Sequence, residues 1–181
     1  MVAFAGRLRG EGIPVGEVSV GSTPTVMAAE DLTGVTEVRP GNYLCFDAFQ
    51  AAIGSCRLDE VAFSVLATVL GAYPERRELV VNAGALALSK DPGPVHVDPD
   101  CGFGVVVDAT DQRPITGLRV VSISQEHGVL RTDQPLDPRW QPGSRLRILP
   151  NHACLAAACF DRFHVVRGIE VVDEWRPVRG W

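Results

Sequence analysis

The chain has 181 residues, 46% of them apolar and 22% charged, which suffices to bury the core of one large domain or two small ones. A net charge of −5 without a basic stripe argues against a nucleic-acid partner. Arg7, Arg9 and Glu11 interrupt the stretch where a secretory apolar run would lie, and the longest uncharged apolar run, residues 61–72, is too short to span a bilayer, so a cytoplasmic chain is expected.

In chain order, residues 4–12 read as the tail of a helix ending at Gly10 or Gly12. Residues 15–20 alternate apolar and polar as a strand does, and run into Gly21-Ser22-Thr23-Pro24 and a short helix through about Asp31. Residues 35–38 and 43–46 read as extended, with Arg39-Pro40-Gly41-Asn42 between them, and residues 49–56 as another short helix. From residue 60 the pattern changes. Residues 61–70, 78–82, 104–107, 117–124, 128–131, 145–149, 164–167 and 169–175 all read as strands separated by Pro/Gly/Asp turns. That spacing suits an all-β sandwich or barrel. The expected fold is therefore mixed α/β, with a β/α-style part over 1–58 and a β-rich domain over 59–181. Two or three strands and short helices cannot close a barrel or cover both faces of a sheet, so the first part reads as the end of something larger.

Four segments carry chemistry. In Ser19-Val20-Gly21-Ser22-Thr23-Pro24-Thr25, Thr23 suits an N-cap and Pro24 the first helical position. Free N–H groups and hydroxyls there form an anion site, or else a plain helix cap. In Glu37-Val38-Arg39-Pro40-Gly41-Asn42-Tyr43, Gly41 and Asn42 suit a tight turn, and from the residues alone a plain hairpin turn is the favoured reading. Two such turns after successive strands can line one phosphate pocket. In Pro150-Asn151-His152-Ala153-Cys154, His and Cys at i, i+2 share a side if the segment is extended, and two ligands suit an open metal site. A buried Cys beside a hydrogen-bonded His is the plainer alternative. Glu126-His127-Gly128 could pair as a titrating site or form a surface turn. Lys90, the sole lysine, precedes Asp91-Pro92-Gly93 and reads as solvated. The five cysteines, 45, 56, 101, 154 and 159, form no CxxC, which makes mostly reduced thiols the default and a thiol redox module a distant reading.

In family order, VSVGSTPT, EVRPGNYLCFD, ELVVNAGALALSKD, SQEHG and PNHAC resemble the D-serine dehydratase / D-threonine aldolase family, the fold-type III pyridoxal enzymes with a metal-binding C-terminal domain, and the WRPVRGW tail fits as well. The resemblance implies a β/α (TIM-like) barrel carrying pyridoxal 5'-phosphate, of which residues 1–58 are the last strands and phosphate loops. It implies a following β domain, 59–181, that carries Zn2+ or another divalent metal. Thr23, Gly41 and Asn42 match the phosphate contacts, with Ser22 and Tyr43 beside them, and His152 and Cys154 match the metal ligands. The implied reaction removes water and ammonia from a β-hydroxy D-amino acid. Retro-aldol cleavage, or a metal-binding domain without catalysis, are the alternatives; Cys154 leans toward dehydration, because the aldolases carry Asp there. The family's catalytic lysine lies upstream of these residues and Lys90 does not replace it, so the chain is expected to be inactive alone. It would act with a missing N-terminal barrel half or as a homo-oligomer, and exposed strand edges would favour self-association.

Overall fold

The structure is a computed structural model that describes residues 1–178; the end of the expected family tail, residues 179–181, lies outside the described residues. Among the described residues no helix is long and apolar enough to cross a membrane.

The first part contains helix α1 (Val2–Gly10), strand β1 (Ser19–Gly21), helix α2 (Thr23–Met27), strand β2 (Glu37–Arg39), a 3-10 turn at Asn42–Leu44 and helix α3 (Ala48–Ala52). β1 and β2 pair in parallel with Val20 opposite Val38, and the hairpin reading of the second turn is wrong because a 3-10 turn at Asn42–Leu44, not a strand, follows it. Parallel neighbours need a crossover, and α2 with its flanking chain provides it. The strand expected from residue 15 joins the ladder only at Ser19; Val18 is held instead by the Thr36 hydroxyl, which accepts its N–H at 2.8 Å. The helix expected to reach Asp31 stops at Met27. Asp31 Oδ1 accepts the Thr33 N–H at 2.8 Å, a local turn that competes with helical bonding. Residues 43–46, expected to be extended, are not. The Asn42 carbonyl accepts from Cys45 and Phe46 N–H, which closes the turn, and Phe46 leaves it with φ +51°.

The second part resolves the choice between sandwich and barrel. Strands β3 (Val65–Tyr73), β4 (Glu78–Val81), β5 (Val105–Asp108), β6 (Pro114–Ile123), β7 (Gly128–Arg131) and β8 (Arg145–Leu149) form a closed barrel in the order β3-β4-β7-β6-β5-β8, with β8 returning to β3. Every neighbouring pair is antiparallel. Period-2 alternation fills the interior: Ala67 with Val69, Leu79 with Val81, and Leu146 with Ile148, joined by Val120 and Leu130, are all fully buried. Each of these Val, Leu and Ile side chains contributes about 1.5–3 kcal/mol by leaving water. Gly104 opens β5 at φ +124°, where a Cβ would lie 2.5 Å from the Leu149 carbonyl oxygen. Only glycine lets β5 start that close to the end of β8.

Two short helices escape sequence reading: α4 (Ala85–Leu88), after β4, and α5 (Ala153–Ala157), after β8. A hairpin of β9 (Phe163–Arg167) and β10 (Glu170–Trp175) follows, tied to the barrel through Phe63, whose ring meets Phe163 edge-on at 5.7 Å. A second apolar cluster sits apart from the barrel interior. Val61, Val107 and Leu149 form it, with Phe46, Ala51, Cys56 and Leu58 against them. It fastens the α3 segment to β5 and β8, and thereby brings the end of the first part alongside the chain that leaves β8.

Candidate functional site

β1 and β2 run in the same direction, so the turns that follow them emerge at the same end of the pair. Ser22 begins the first turn at φ +104°, and its hydroxyl accepts the Thr25 N–H at 3.3 Å and meets the Thr25 hydroxyl at 2.8 Å. Ser22, rather than the expected Thr23, is the N-cap. Thr23 is buried, and its hydroxyl accepts the Tyr43 N–H at 2.9 Å. That bond ties the two turns together and leaves the Thr23 hydroxyl proton free for another acceptor. Gly21 lies under the same crossing, since a Cβ there would be 3.0 Å from the Arg39 carbonyl oxygen. Gly41 faces open space, and Tyr43 is exposed.

The second turn leads to Asp47, which is 1% exposed. Asp47 Oδ1 accepts the Gln50 N–H at 2.9 Å and so caps α3. Its Oδ2 accepts from the Asn42 side-chain amide and from the Ala153 N–H, the latter at 2.9 Å. Backbone bonds from Ala48 to the Pro150 carbonyl (3.0 Å) and from Phe49 to the Asn151 carbonyl (3.4 Å) align residues 47–49 with 150–153.

The premise of an extended His152-Ala153-Cys154 segment holds only in part. His152 is extended at φ −134°, ψ 101°, but it caps α5, and Cys154 already lies in the first helical turn. The i, i+2 spacing therefore does not place the two side chains as it would on a strand. His152 Nδ1 lies 3.1 Å from Asp91 Oδ2. A carboxylate accepts, so this bond places a ring proton on Nδ1 and leaves Nε2 to bind. Asp91 is itself held: its Oδ1 accepts the Gly93 N–H at 2.8 Å, and its carbonyl accepts from the buried Asn151 side chain at 3.1 Å. Burial pushes the Cys154 thiol above its ordinary value, and the Asp47 carboxylate adds to the effect. Burial also raises Cys45, with the charge of Cys154 and then that of Asp47 adding to it.

A cavity of about 260 Å³ is lined by Asn42, Asp47, Phe49, Gln50, Asp91, Asn151 and His152. The structure thus brings the second glycine turn and His152 to one cleft. Ser22, Thr23, Gly41, Tyr43 and Cys154 stand outside that lining. Asn42 Oδ1 and Gln50 Oε1 are buried without a hydrogen-bond partner, which leaves two acceptors on residues of this cleft unanswered. Among the described residues no group of three or more His, Cys, Asp and Glu could hold a metal ion, so His152 and Cys154 offer at most two protein donors.

The other motifs resolve into packing. Gly84 lies where a Cβ would be 2.6 Å from both the His127 nitrogen and the Ser124 carbonyl oxygen. Ala85 and Leu86 N–H donate to the Ser124 and Gln125 carbonyls at 2.9 and 3.0 Å. The Glu126-His127 turn is therefore the dock for α4, with both side chains exposed. Lys90 is exposed too. Sequence reading missed Asp47 and Asp91. Asp47 had a signal in its spacing of three from Gln50, the pattern of a capping residue. Asp91 stood in a recognised Asp-Pro-Gly turn whose carboxylate was not asked to reach a histidine.

Residues 62–166 match the family described as "Putative serine dehydratase domain". The chain belongs to this family. It is 41% identical over 185 residues to D-threo-3-hydroxyaspartate dehydratase of Delftia sp., and 38% identical over 189 residues to D-serine dehydratase of Dictyostelium discoideum. These alignments cover 99% and 98% of the chain but 48% and 46% of those relatives. The chain thus spans about half the length of the curated relatives it matches first. An uncharacterised protein of Mycobacterium tuberculosis is 33% identical over 135 residues, 72% of the chain and 92% of that relative. Among solved structures, the Delftia enzyme superposes with a TM-score of 0.89 over 99% of the chain and 48% of its own. It has also been solved with a histidine replaced by alanine, and, in the metal-free form, with the cysteine two positions later replaced by alanine.

Proposed function

We propose that the chain forms the phosphate- and metal-binding half of a pyridoxal-phosphate and divalent-metal dependent dehydratase that removes water and ammonia from a β-hydroxy D-amino acid. The observation that carries this reading is the shared cleft: Asn42, from the second of two glycine turns joined by the Thr23–Tyr43 bond, lines the same cavity as His152. The pair of alanine variants solved for the Delftia enzyme, a histidine and a cysteine two positions apart, one in a metal-free form, supports His152 and Cys154 as the metal donors. The parallel β1–β2 pair with its crossover supports residues 1–58 as the closing strands of a β/α barrel, and residues 59–181 as the domain that follows.

The residues suit both groups. An imidazole whose Nδ1 is anchored on a carboxylate, with a thiol two residues along the chain, is a borderline-soft donor pair that would suit Zn2+ and leave positions for water or substrate. The Thr23 hydroxyl proton, Ser22 and the open backbone at Gly41 and Asn42 would hold a phosphate, with Tyr43 at the rim. When bound, the cofactor supplies an electron sink for charge developing at Cα, and the metal a Lewis acid for the departing β-hydroxyl. His152 and Cys154 would hold the cation, Asp91 would keep the His152 ring in one orientation, and Phe49 lines the cleft together with His152. Cys154 favours dehydration over aldol cleavage on the family pattern.

A second reading, a metal-binding domain without catalysis, draws on the short Mycobacterium tuberculosis relative, nearly all of which this chain matches. Two measurements test the proposals. Elemental analysis of the purified chain at neutral pH should find stoichiometric zinc, lost in His152→Ala and Cys154→Ala; a zinc-free wild type would end the metal assignment. Ammonia release from D-serine, assayed with and without a barrel half supplied in trans, separates lyase from binding domain.

A further inference from the structure

We propose that Asp47 is a positioning residue: it fixes the peptide between His152 and Cys154 against the Asn42 turn, so that the two halves of the site are set as one unit. The inference deepens the reading above and rests on it for the roles of Asn42, His152 and Cys154.

Capping α3 needs one carboxylate oxygen, and Oδ1 does that alone through the Gln50 N–H. The other oxygen takes two donors of different origin, the Asn42 side-chain amide and the Ala153 N–H. Ala153 is the residue between the two proposed metal donors. A shift of the Asn42 turn is therefore felt, through one shared oxygen, by the backbone that aims both His152 and Cys154. The donors to its carboxylate are uncharged N–H groups, two from the backbone and one from an amide side chain, and these compensate its burial. The chain also accepts local strain to deliver this carboxylate. Phe46, immediately before it, holds φ +51°, a conformation that a bulky side chain keeps only where its surroundings dictate it. Val61, Val107 and Leu149 supply those surroundings, since the cluster they form includes Phe46. The backbone bonds from Ala48 and Phe49 to Pro150 and Asn151 hold the two segments in register on either side of the shared oxygen.

The test uses the full chain with Asn42→Ala, Asp47→Asn and the double variant. Amide hydrogen exchange is followed over residues 150–157 without metal, and zinc affinity is measured by competition with a chromogenic chelator. Asn42→Ala touches neither His152 nor Cys154, yet exchange of the Ala153 amide should accelerate about tenfold, the loss expected when a charge-assisted bond slackens. Zinc binding should weaken several-fold with it. Asp47→Asn should do more, and adding Asn42→Ala to it should change little further, because both act through the same oxygen. A role confined to stability would lower the melting temperature of each variant while leaving exchange over 150–157 and zinc affinity of the folded protein at wild-type values, and that result overturns the proposal. If Asp47→Asn does not fold, Asn42→Ala alone decides. If the wild type binds no zinc but Asn42→Ala still speeds exchange at Ala153, the metal assignment fails and the positioning role stands.

Discussion

Asp91 offers the sharpest single test of the proposed metal site. Its Oδ2 sits 3.1 Å from His152 Nδ1, and the carboxylate is aimed by the Gly93 N–H at 2.8 Å and, through its own carbonyl, by Asn151. A carboxylate in this position fixes the ring tautomer and raises the basicity of the other nitrogen; removing such a partner costs about 10- to 100-fold in metal affinity, or about 1.4–2.7 kcal/mol. The side chains of His152 and Asp91 are 40% and 26% exposed, so water competes for the bond and the lower end applies. Asp91→Ala should therefore weaken zinc binding by about tenfold. Asp91→Asn keeps the shape and an acceptor for Gly93, and should fall between Ala and wild type. Competition against a chromogenic chelator at neutral pH reads both, with thermal melts to establish that each variant is folded. A folded Asp91→Ala protein with wild-type zinc affinity would refute the idea that this carboxylate tunes His152.

Two further outcomes follow from the barrel and its docked helix. Gly84→Ala should destabilise the fold by about 1–3 kcal/mol, read by urea denaturation, because the new methyl meets backbone atoms of Ser124, Gln125 and His127 within 2.7 Å and none of them can rotate away. Asp108 responds to acid. Hydrogen bonds from the Thr110 hydroxyl and backbone hold its carboxyl below the ordinary 3.8, with Arg139 adding to them. A lowered folded-state value means stability that is present above the ordinary value and lost as pH falls through the lowered one. Asp108→Asn should therefore melt earlier than wild type at neutral pH, and the gap should close in strong acid; a gap that persists below the range where the carboxyl titrates would contradict that account.

The barrel was largely legible because its signals are periodic. β7 and β8 fall on the residues expected, since Gly128 and Arg145 follow clear turns and Leu146 and Ile148 alternate with arginines. The choice between sandwich and barrel was not legible, because closure depends on which strands meet across the chain: β8 returns to β3 over some eighty residues, and no local pattern encodes that pairing. α5 was missed because five residues are too few to show a helical period, and an His-x-Cys spacing invites an extended reading. Residues 43–46 were misread as extended because Tyr43, Leu44 and Phe46 have strand-like composition, whereas the Asn42 carbonyl and the left-handed Phe46 decide the geometry. Of the site, the residues with distinctive chemistry were visible, and the two acids that organise them were not. An isolated aspartate in a loop carries no pattern until its partners are in place, and those of Asp47 lie up to 106 residues away.

Closure of the large sheet also says where this chain is open to its surroundings. Six strands that meet end to end leave no unpaired row of N–H and C=O groups along their sides. The two-stranded β1–β2 and β9–β10 ribbons have no such protection: each of their strands lacks a neighbour on one flank, with Val38 exposed on the first and Val171 and Trp175 on the second. An added strand therefore has its natural seat on one of those two-stranded ribbons rather than on the cylinder.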